Sequence, residues 1–508
     1  MSRKFNVTLL ASFAAVSLGA LAVPAAAGAN FSTGIDGGSA DALASPTLWS
    51  TMVKNTNSGI YRAQIIWADT SPTKPSDATN PNDAAYAGHW AKADAVARLA
   101  TTAGVRVLLN PLRAPAWAEG PNRPSTGYGA IGNQAPASGS WNPNAVAFGE
   151  FAKALAKRYD GTTADPLNPS VTLPKVSLFE AWNEPNYKMY LTPQCSKGHM
   201  TTKNVCTSRG TIVAMGNYRS LLNSFYAGVK SVQPAATVLS AGTGPYGASS
   251  GGYEIDPQVF IRSVLCLGGK SAAPTATGSC PVKASLDGVA IHPYTLFGTP
   301  TTRASSLDGT SLGNTPDVRK ALDLAVSKSR VSPAGPKQLW ITESGWMTCP
   351  PCRPTSTVSI GTAPALAAAY TGEMLYRLWF WKVDAAIWYS LVDVSGWPGG
   401  LYYAGATLAD ATAKPGLAAF KFPVFSAKSG AKAFGWTISP CRAPKSSVQF
   451  DAYSKTKWVK VATTVPGSDG VAKTPLWAIP SLAKTVRATA SGPGCATQTS
   501  SSVTIAAK

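Results

Sequence analysis

Two glutamates each close a short apolar run, and residues of that type in that setting can do acid–base and nucleophilic work. The largely apolar stretch 176–182 ends abruptly in Asn183, Glu184, Pro185 and Asn186. Proline cannot continue a central strand, so a strand here finishes at or before Glu184. The stretch 338–342 stops in the same way on Glu343, and Gly345 breaks it. Two strand-end carboxyls facing one cleft can cleave an acetal in either of two ways. At about 5–5.5 Å apart, one attacks the anomeric carbon while the other protonates the leaving oxygen. At about 6.5–9.5 Å a water fits between, and the centre inverts. The first route needs unequal acidities, and an ionised Glu343 would hold the proton on Glu184 by charge repulsion.

Further side chains fit around such a pair. Tyr294 can donate to Glu343 and steady its charge, Asn183 can grip a sugar hydroxyl, and the Trp388 ring suits the apolar face of a pyranose. His292 fits a place in the site or a satisfied structural histidine. Arg62 fits a substrate contact or an ion pair buried inside a barrel. Trp67 and Trp117 fit sugar platforms or core.

Groups hung on strand ends need a sheet that brings those ends together. Short strand-like runs at 31–35, 59–67, 105–110, 176–182, 237–241, 286–291, 338–342 and 385–390 alternate with helical stretches at 84–103, 218–232, 260–267, 317–327 and 365–382. Another helix is bounded by an Asn142 cap, Pro143 in its first turn and Gly161 past its end. The alternation predicts βαβ units and a parallel sheet, and eight such units predict a closed (β/α)8 TIM barrel. The competing open sheet would need a phosphate loop at 242–247, a formal G-x-G-x-x-G. Pro245, Gly251 and Gly252 prevent a helix from starting there, so this stretch reads as a loop. From residue 425 the texture changes to short alternating runs, predicting a small all-β sandwich domain over 425–508 with a loose tail after Cys495. Trp436, Trp458 and Trp477 there fit carbohydrate contacts or core.

Composition bounds the rest. Arg3 and Lys4 precede an apolar run at 7–23 and an alanine-rich cleavage site, so residues 1–29 read as a secretory signal peptide and 30–424 as the barrel domain. No later stretch is apolar enough to span a bilayer, so a secreted, extracellular protein without membrane insertion is expected. The 8 cysteines of an exported chain favour disulfides, with Cys195–Cys206, Cys266–Cys280 and Cys441–Cys495 paired by proximity and Cys349–Cys352 as a loop staple. With cysteines oxidised, the 3 histidines form no zinc constellation, and no metal or cofactor is expected. The formal charge of +20 comes from scattered residues rather than a basic arm. No nucleic-acid partner is expected; a loose association with anionic cell-wall polymers is, for a chain acting as a monomer.

These motifs resemble those of the clan A glycoside hydrolases. Trp182-Asn183-Glu184-Pro185 is similar to the clan's acid/base motif and Ile341-Thr342-Glu343-Ser344-Gly345-Trp346 to its nucleophile motif. His292-Pro293-Tyr294 is similar to its sixth-strand segment, Trp388 to its eighth-strand tryptophan, and Lys414-Pro415 to the segment closing many of its barrels. Residues 180–186 most resemble families 39 and 5. The resemblance, over roughly residues 31–424, implies a (β/α)8 barrel and retaining hydrolysis of an equatorial glycosidic bond without a cofactor. It implies Glu184 as acid/base, Glu343 as nucleophile, and Asn183, Tyr294, His292 and Trp388 as site residues. The expected activity is a secreted β-glycosidase acting on a polysaccharide or glycoconjugate. The competing expectations are a non-catalytic glycan-binding barrel and an anion-seeking adhesion protein. Retention of both glutamates favours the enzyme.

Overall fold

The computed structural model describes residues 31–37, 39–126, 135–248, 254–296, 298–348, 354–355, 358–359 and 361–507. The expected leader and the expected Cys349–Cys352 staple lie outside the described residues. Eight parallel strands close a barrel: β1 (Ser32–Asp36), β2 (Ile60–Ile66), β3 (Arg106–Leu112), β4 (Leu178–Ala181), β5 (Thr237–Ser240), β6 (Gly288–Ile291), β7 (Gln338–Ser344) and β8 (Ala385–Trp388). Each strand pairs with its neighbours in sequence, and β1 pairs with β8 to close the ring.

Side chains alternate between the two faces of a strand, and in a barrel one face looks inward. Ile60, Leu108, Leu178, Leu239, Trp340, Ala385 and Ile387 meet there as a separate buried apolar plug. The outward set joins the larger core under the helices. Two residues further along four of these strands the inward face turns polar, at Arg62, Asn110, Glu180 and Thr342, and Asp36 follows Gly34 in the same phase on β1. The polar end of the barrel therefore begins one layer above the plug.

Several expected boundaries shift. The stretch 84–103 is a short 3-10 turn at Ala84–Tyr86 and a helix at Ala91–Ala103, with Gly88 at φ 76° between them. The helix expected after Asn142 starts two residues later. Asn144 caps it by accepting from the Ala147 N–H at 3.0 Å, and Pro143 lies outside. The three other expected disulfides form: Cys195–Cys206, Cys266–Cys280 and Cys441–Cys495.

From Val424 onward two antiparallel sheets stack as a sandwich. The tail expected to be loose is instead ordered, because Cys495–Thr499 and Val503–Thr504 both pair with Thr485–Gly492. The sandwich packs on the barrel helix Pro364–Phe380, where Tyr376 stacks on Phe425 at 4.5 Å and Trp436 meets both Tyr376 and Trp379. Trp436 and Trp477 are buried, and Trp458 lies under the Arg487 guanidinium at 4.3 Å. A Cβ at Gly372 would stand 2.1 Å from the Val424 carbonyl oxygen, so only glycine lets helix and strand approach this closely. Among the described residues no helix is long and apolar enough to cross a membrane.

Candidate active site

Arg62 is the hub of the polar layer. Its Nε donates to Glu180 Oε2 at 2.6 Å, Nη1 to Asp36 Oδ2 and Glu343 Oε1 at 2.7 Å each, and Nη2 to Asn110 Oδ1 at 2.9 Å and Asn183 Oδ1 at 3.0 Å. A guanidinium has five N–H protons, and all are committed to protein oxygens. Asn110 is oriented for this by donating its amide to the Glu180 and Trp182 carbonyls. Arg62 is fully buried, so the expectation of a substrate contact is corrected: it is a positioning residue within a buried ion-pair network. An Arg62→Lys chain keeps the charge but replaces the fixed fork with three rotatable donors. We expect it to lose about 3–5 kcal/mol of stability, as when a buried ion pair is broken, and to show the acid limb of its activity profile moved to higher pH. Chemical denaturation and a pH–rate profile check this; a wild-type profile in the variant would contradict the hub role.

Glu343 reaches the cleft through an irregularity. Strict alternation from inward Trp340 would leave Glu343 pointing outward, beside inward Thr342. The β7–β8 register shifts between Ile341 and Ser344, and such a bulge re-aims side chains. Thr342 and Glu343 then both face in. Tyr294 donates its hydroxyl to Glu343 Oε2 at 2.8 Å, while Arg62 holds Oε1. Burial works to raise the Glu343 pKa, but His292, Arg62 and the Tyr294 hydrogen bond outweigh it and hold it below the usual carboxylate value.

Glu184 lies just past β4, where Trp182 and Glu184 adopt left-handed backbone at φ 77° and 38°. Non-glycine residues pay strain there, and such sites cluster where side-chain placement matters. The turn is tied down by Glu184 N–H donating to the Gly242 carbonyl at 2.9 Å and by the Trp182 indole donating to the Tyr190 carbonyl at 3.0 Å. Gly242 is also where His292 passes: a Cβ there would stand 2.1 Å from Nε2. The stretch 242–247 is thus a loop, as expected, and its first glycine makes room for a site histidine.

The tautomer of His292 follows from its neighbours. Glu180 accepts from Arg62 and from the Gly242 N–H, and Thr342 donates its one hydroxyl proton to Glu180 Oε1 at 2.8 Å. Thr342 can then only accept from His292, whose Nε2 lies 3.1 Å away, so Nε2 carries hydrogen. The other nitrogen, Nδ1, faces Glu184 Oε1 at 2.9 Å, and one proton lies between them. Burial raises the Glu184 pKa, with the negative Glu343 adding to it against the pull of His292. That proton therefore belongs to Glu184 when the imidazole is neutral. Oε2 of Glu184 takes no hydrogen bond from the described residues and is free for a ligand atom.

Glu184, His292 and Glu343 each bring one atom to within 4.8 Å of the others. Such spacing could bracket a cation, yet Nδ1 is engaged with Glu184 and Glu343 with Arg62 and Tyr294, so the three groups already satisfy one another. One oxygen of each glutamate thus lies within 4.8 Å of the other, so the two carboxyls face one another across one cleft.

The remaining expected residues divide. Asn183, His292 and Tyr294 stand in the cluster around the glutamates. Trp388 does not. It points outward, buried against Trp346 and Phe420, and its indole N–H goes to the Gly399 carbonyl at 2.8 Å. The physical reason is phase: Ala385 and Ile387 face inward, so the next inward residue is Tyr389. This phenol, half-buried, feels the charges of Glu343 and Asp36 and flanks Trp397, which packs edge-on against Tyr294 at 4.7 Å. Trp117 is partly buried against Trp67 at 5.7 Å with its N–H on the Ser71 carbonyl, and no hydrogen bond joins it to the carboxyl cluster. Trp67 is core. Asp36, Asn110, Glu180, Thr342 and Tyr389 went unpredicted, although each stands two positions beyond an inward apolar residue or glycine of a readable strand.

Neither a protein-family model nor a curated protein sequence matches the chain. Among solved structures it is similar to a family 39 glycoside hydrolase from Bacteroides cellulosilyticus, at 17% identity and TM-score 0.49 over 88% of this chain and 80% of that one. It is also similar to a family 30 subfamily 8 xylanase from Clostridium acetobutylicum, at 14% identity and TM-score 0.44 over 90% and 95%. A monomeric β-xylosidase from Caulobacter crescentus is similar at 14% identity and TM-score 0.45 over 84% and 83%. Likeness at this level assigns no substrate.

Proposed function

We propose that this chain is a retaining β-glycoside hydrolase acting by double displacement. The observation that carries the reading is a close carboxyl pair pushed to opposite acidities: Glu184 raised, Glu343 lowered, an oxygen of each within 4.8 Å. Glu343 attacks the anomeric carbon as Glu184 gives its proton to the departing oxygen, leaving a covalent glycosyl ester on Glu343 and a free alcohol. Glu184, now ionised, takes a proton from water, whose oxygen displaces the ester and regenerates both side chains. Arg62 and Tyr294 stabilise the carboxylate before attack and as it leaves. The substrate is a carbohydrate, in a polysaccharide or glycoconjugate. The formed disulfides fit an exported enzyme, and the basic composition fits loose retention by anionic cell-wall polymers.

A 2-deoxy-2-fluoro glycosyl donor with an activated leaving group tests the reading. It should inactivate the enzyme, add one sugar mass to the peptide containing Glu343, and protect no other peptide; NMR of an early hydrolysate should show the β anomer first. An α anomer as first product, or a label on another residue, would reject double displacement at Glu343. Binding of oligosaccharides with neither label nor turnover would favour a glycan-binding barrel instead.

A further inference from the structure

Asp36 ends β1 in the inward phase, beside Arg62 in the register of the β1–β2 pair. Its Oδ2 accepts from Arg62 Nη1 at 2.7 Å, but Oδ1 takes no hydrogen bond from the described residues, although Asp36 is only 4% exposed. That oxygen is not among the buried side-chain atoms left without a partner, so the small exposure of Asp36 lets it meet a polar ligand atom. The group lies next to Glu343 and close enough to Tyr389 for its charge to raise the phenol's pKa. The Tyr389 hydroxyl is likewise without a hydrogen-bond partner among the described residues, so one acceptor and one donor stand over the same part of the cleft between β1 and β8.

We propose that Asp36 is a specificity-determining residue that binds a hydroxyl group of the sugar attacked by Glu343, selecting a neutral sugar over one that carries a carboxylate. The inference rests on the hydrolase reading above. A hydroxyl both donates and accepts, so it matches Asp36 whether that group is ionised or protonated. This matters because burial, together with Glu343 and Glu180, pushes the Asp36 carboxyl up to about 7 against the pull of Arg62. A uronic acid finds no welcome in the same place. The positive groups acting on these carboxyls are Arg62 and His292; the first has no proton left, and the second is bonded through both nitrogens. A further buried anion would join Asp36, Glu180 and Glu343 around one guanidinium. The acidic cleft thus selects against the charge that the basic exterior attracts.

The test uses the aryl β-glycoside that wild type hydrolyses best, its monodeoxy analogues and the matching aryl β-uronide, with Asp36→Ala and Asp36→Asn. In wild type, one deoxy position should lower kcat/KM by about 10- to 100-fold, the range for a hydrogen bond to a charged group. In Asp36→Ala that one penalty should fall to about threefold or less while the penalties at other positions stay, a pattern that a general loss of packing around Arg62 does not produce. Asp36→Asn, of the same shape, should narrow the preference for glycoside over uronide by about tenfold or more, since the inward anion is gone. Unchanged deoxy penalties in both variants, with wild type still labelled by the fluorosugar, would overturn the Asp36 assignment alone. Wild type that neither turns over nor labels removes the hydrolase reading and this inference with it.

Discussion

Glu343→Gln should lower kcat on every hydrolysed β-glycoside by on the order of 10⁵-fold, since loss of a covalent nucleophile removes the intermediate itself. The carboxamide is a poor nucleophile, and its position makes matters worse. Oε1 of Glu343 accepts from Arg62 and Oε2 from the Tyr294 hydroxyl, so the amide keeps its oxygen on Arg62 only by turning its N–H to the Tyr294 oxygen, which loses the donation that steadied the carboxylate. We expect the fluorosugar label to vanish with the turnover. The melting temperature should move by much less than in the Arg62→Lys chain, because the other acceptors of Arg62 remain in place. Residual activity within a hundredfold of wild type would show that another group attacks.

Glu184→Ala should behave differently, and the difference is diagnostic. General acid catalysis is worth about 10²–10⁴-fold, and its value depends on how badly the leaving group needs a proton. Alkyl or sugar leaving groups should show the full loss, whereas a dinitrophenyl glycoside should form the glycosyl ester almost normally and then stall. Azide, small enough for the space left by the carboxyl and needing no base, should restore turnover and yield the β-glycosyl azide. The pH profile supplies an independent sign. Wild-type kcat/KM should fall as pH rises through the raised pKa of Glu184, which then loses its proton, and should fall as pH drops through the lowered pKa of Glu343, which then gains one. Glu184→Ala should lose the alkaline limb and keep the acid one. A variant that keeps the alkaline limb, or that azide leaves untouched, would transfer the acid role elsewhere, with His292 the next group in line.

Much of the architecture was readable because it is local. Strand-like runs separated by helical ones gave all eight barrel strands to within a few residues, since a parallel strand buried on both faces is apolar over most of its length. The tail after Cys495 misled because its Ser/Thr-rich composition is shared by loops and by exposed edge strands; pairing with Thr485–Gly492 decided between them. The Asn142 cap misled for a related reason, as Asn144 two residues on offers the same chemistry and wins by geometry.

By itself the sequence determined that the fourth and seventh strands finish close to Glu184 and Glu343, because Pro185 and Gly345 limit how far each ladder can run, although β4 stops earlier at Ala181 and β7 runs on to Ser344. It could not determine which way any side chain there points. Facing direction has a period of two, so a single bulged residue or a one-residue slip exchanges inside for outside. That is how Glu343 turns into the cleft through an irregular pairing while Trp388 turns out of it and Tyr389 takes its place. It is also why Arg62 ends with five protein acceptors and no proton to offer a sugar, and why Asp36, one residue past the run expected as the first strand, keeps an oxygen free: both depend on strands far apart in the chain meeting in one closed ring.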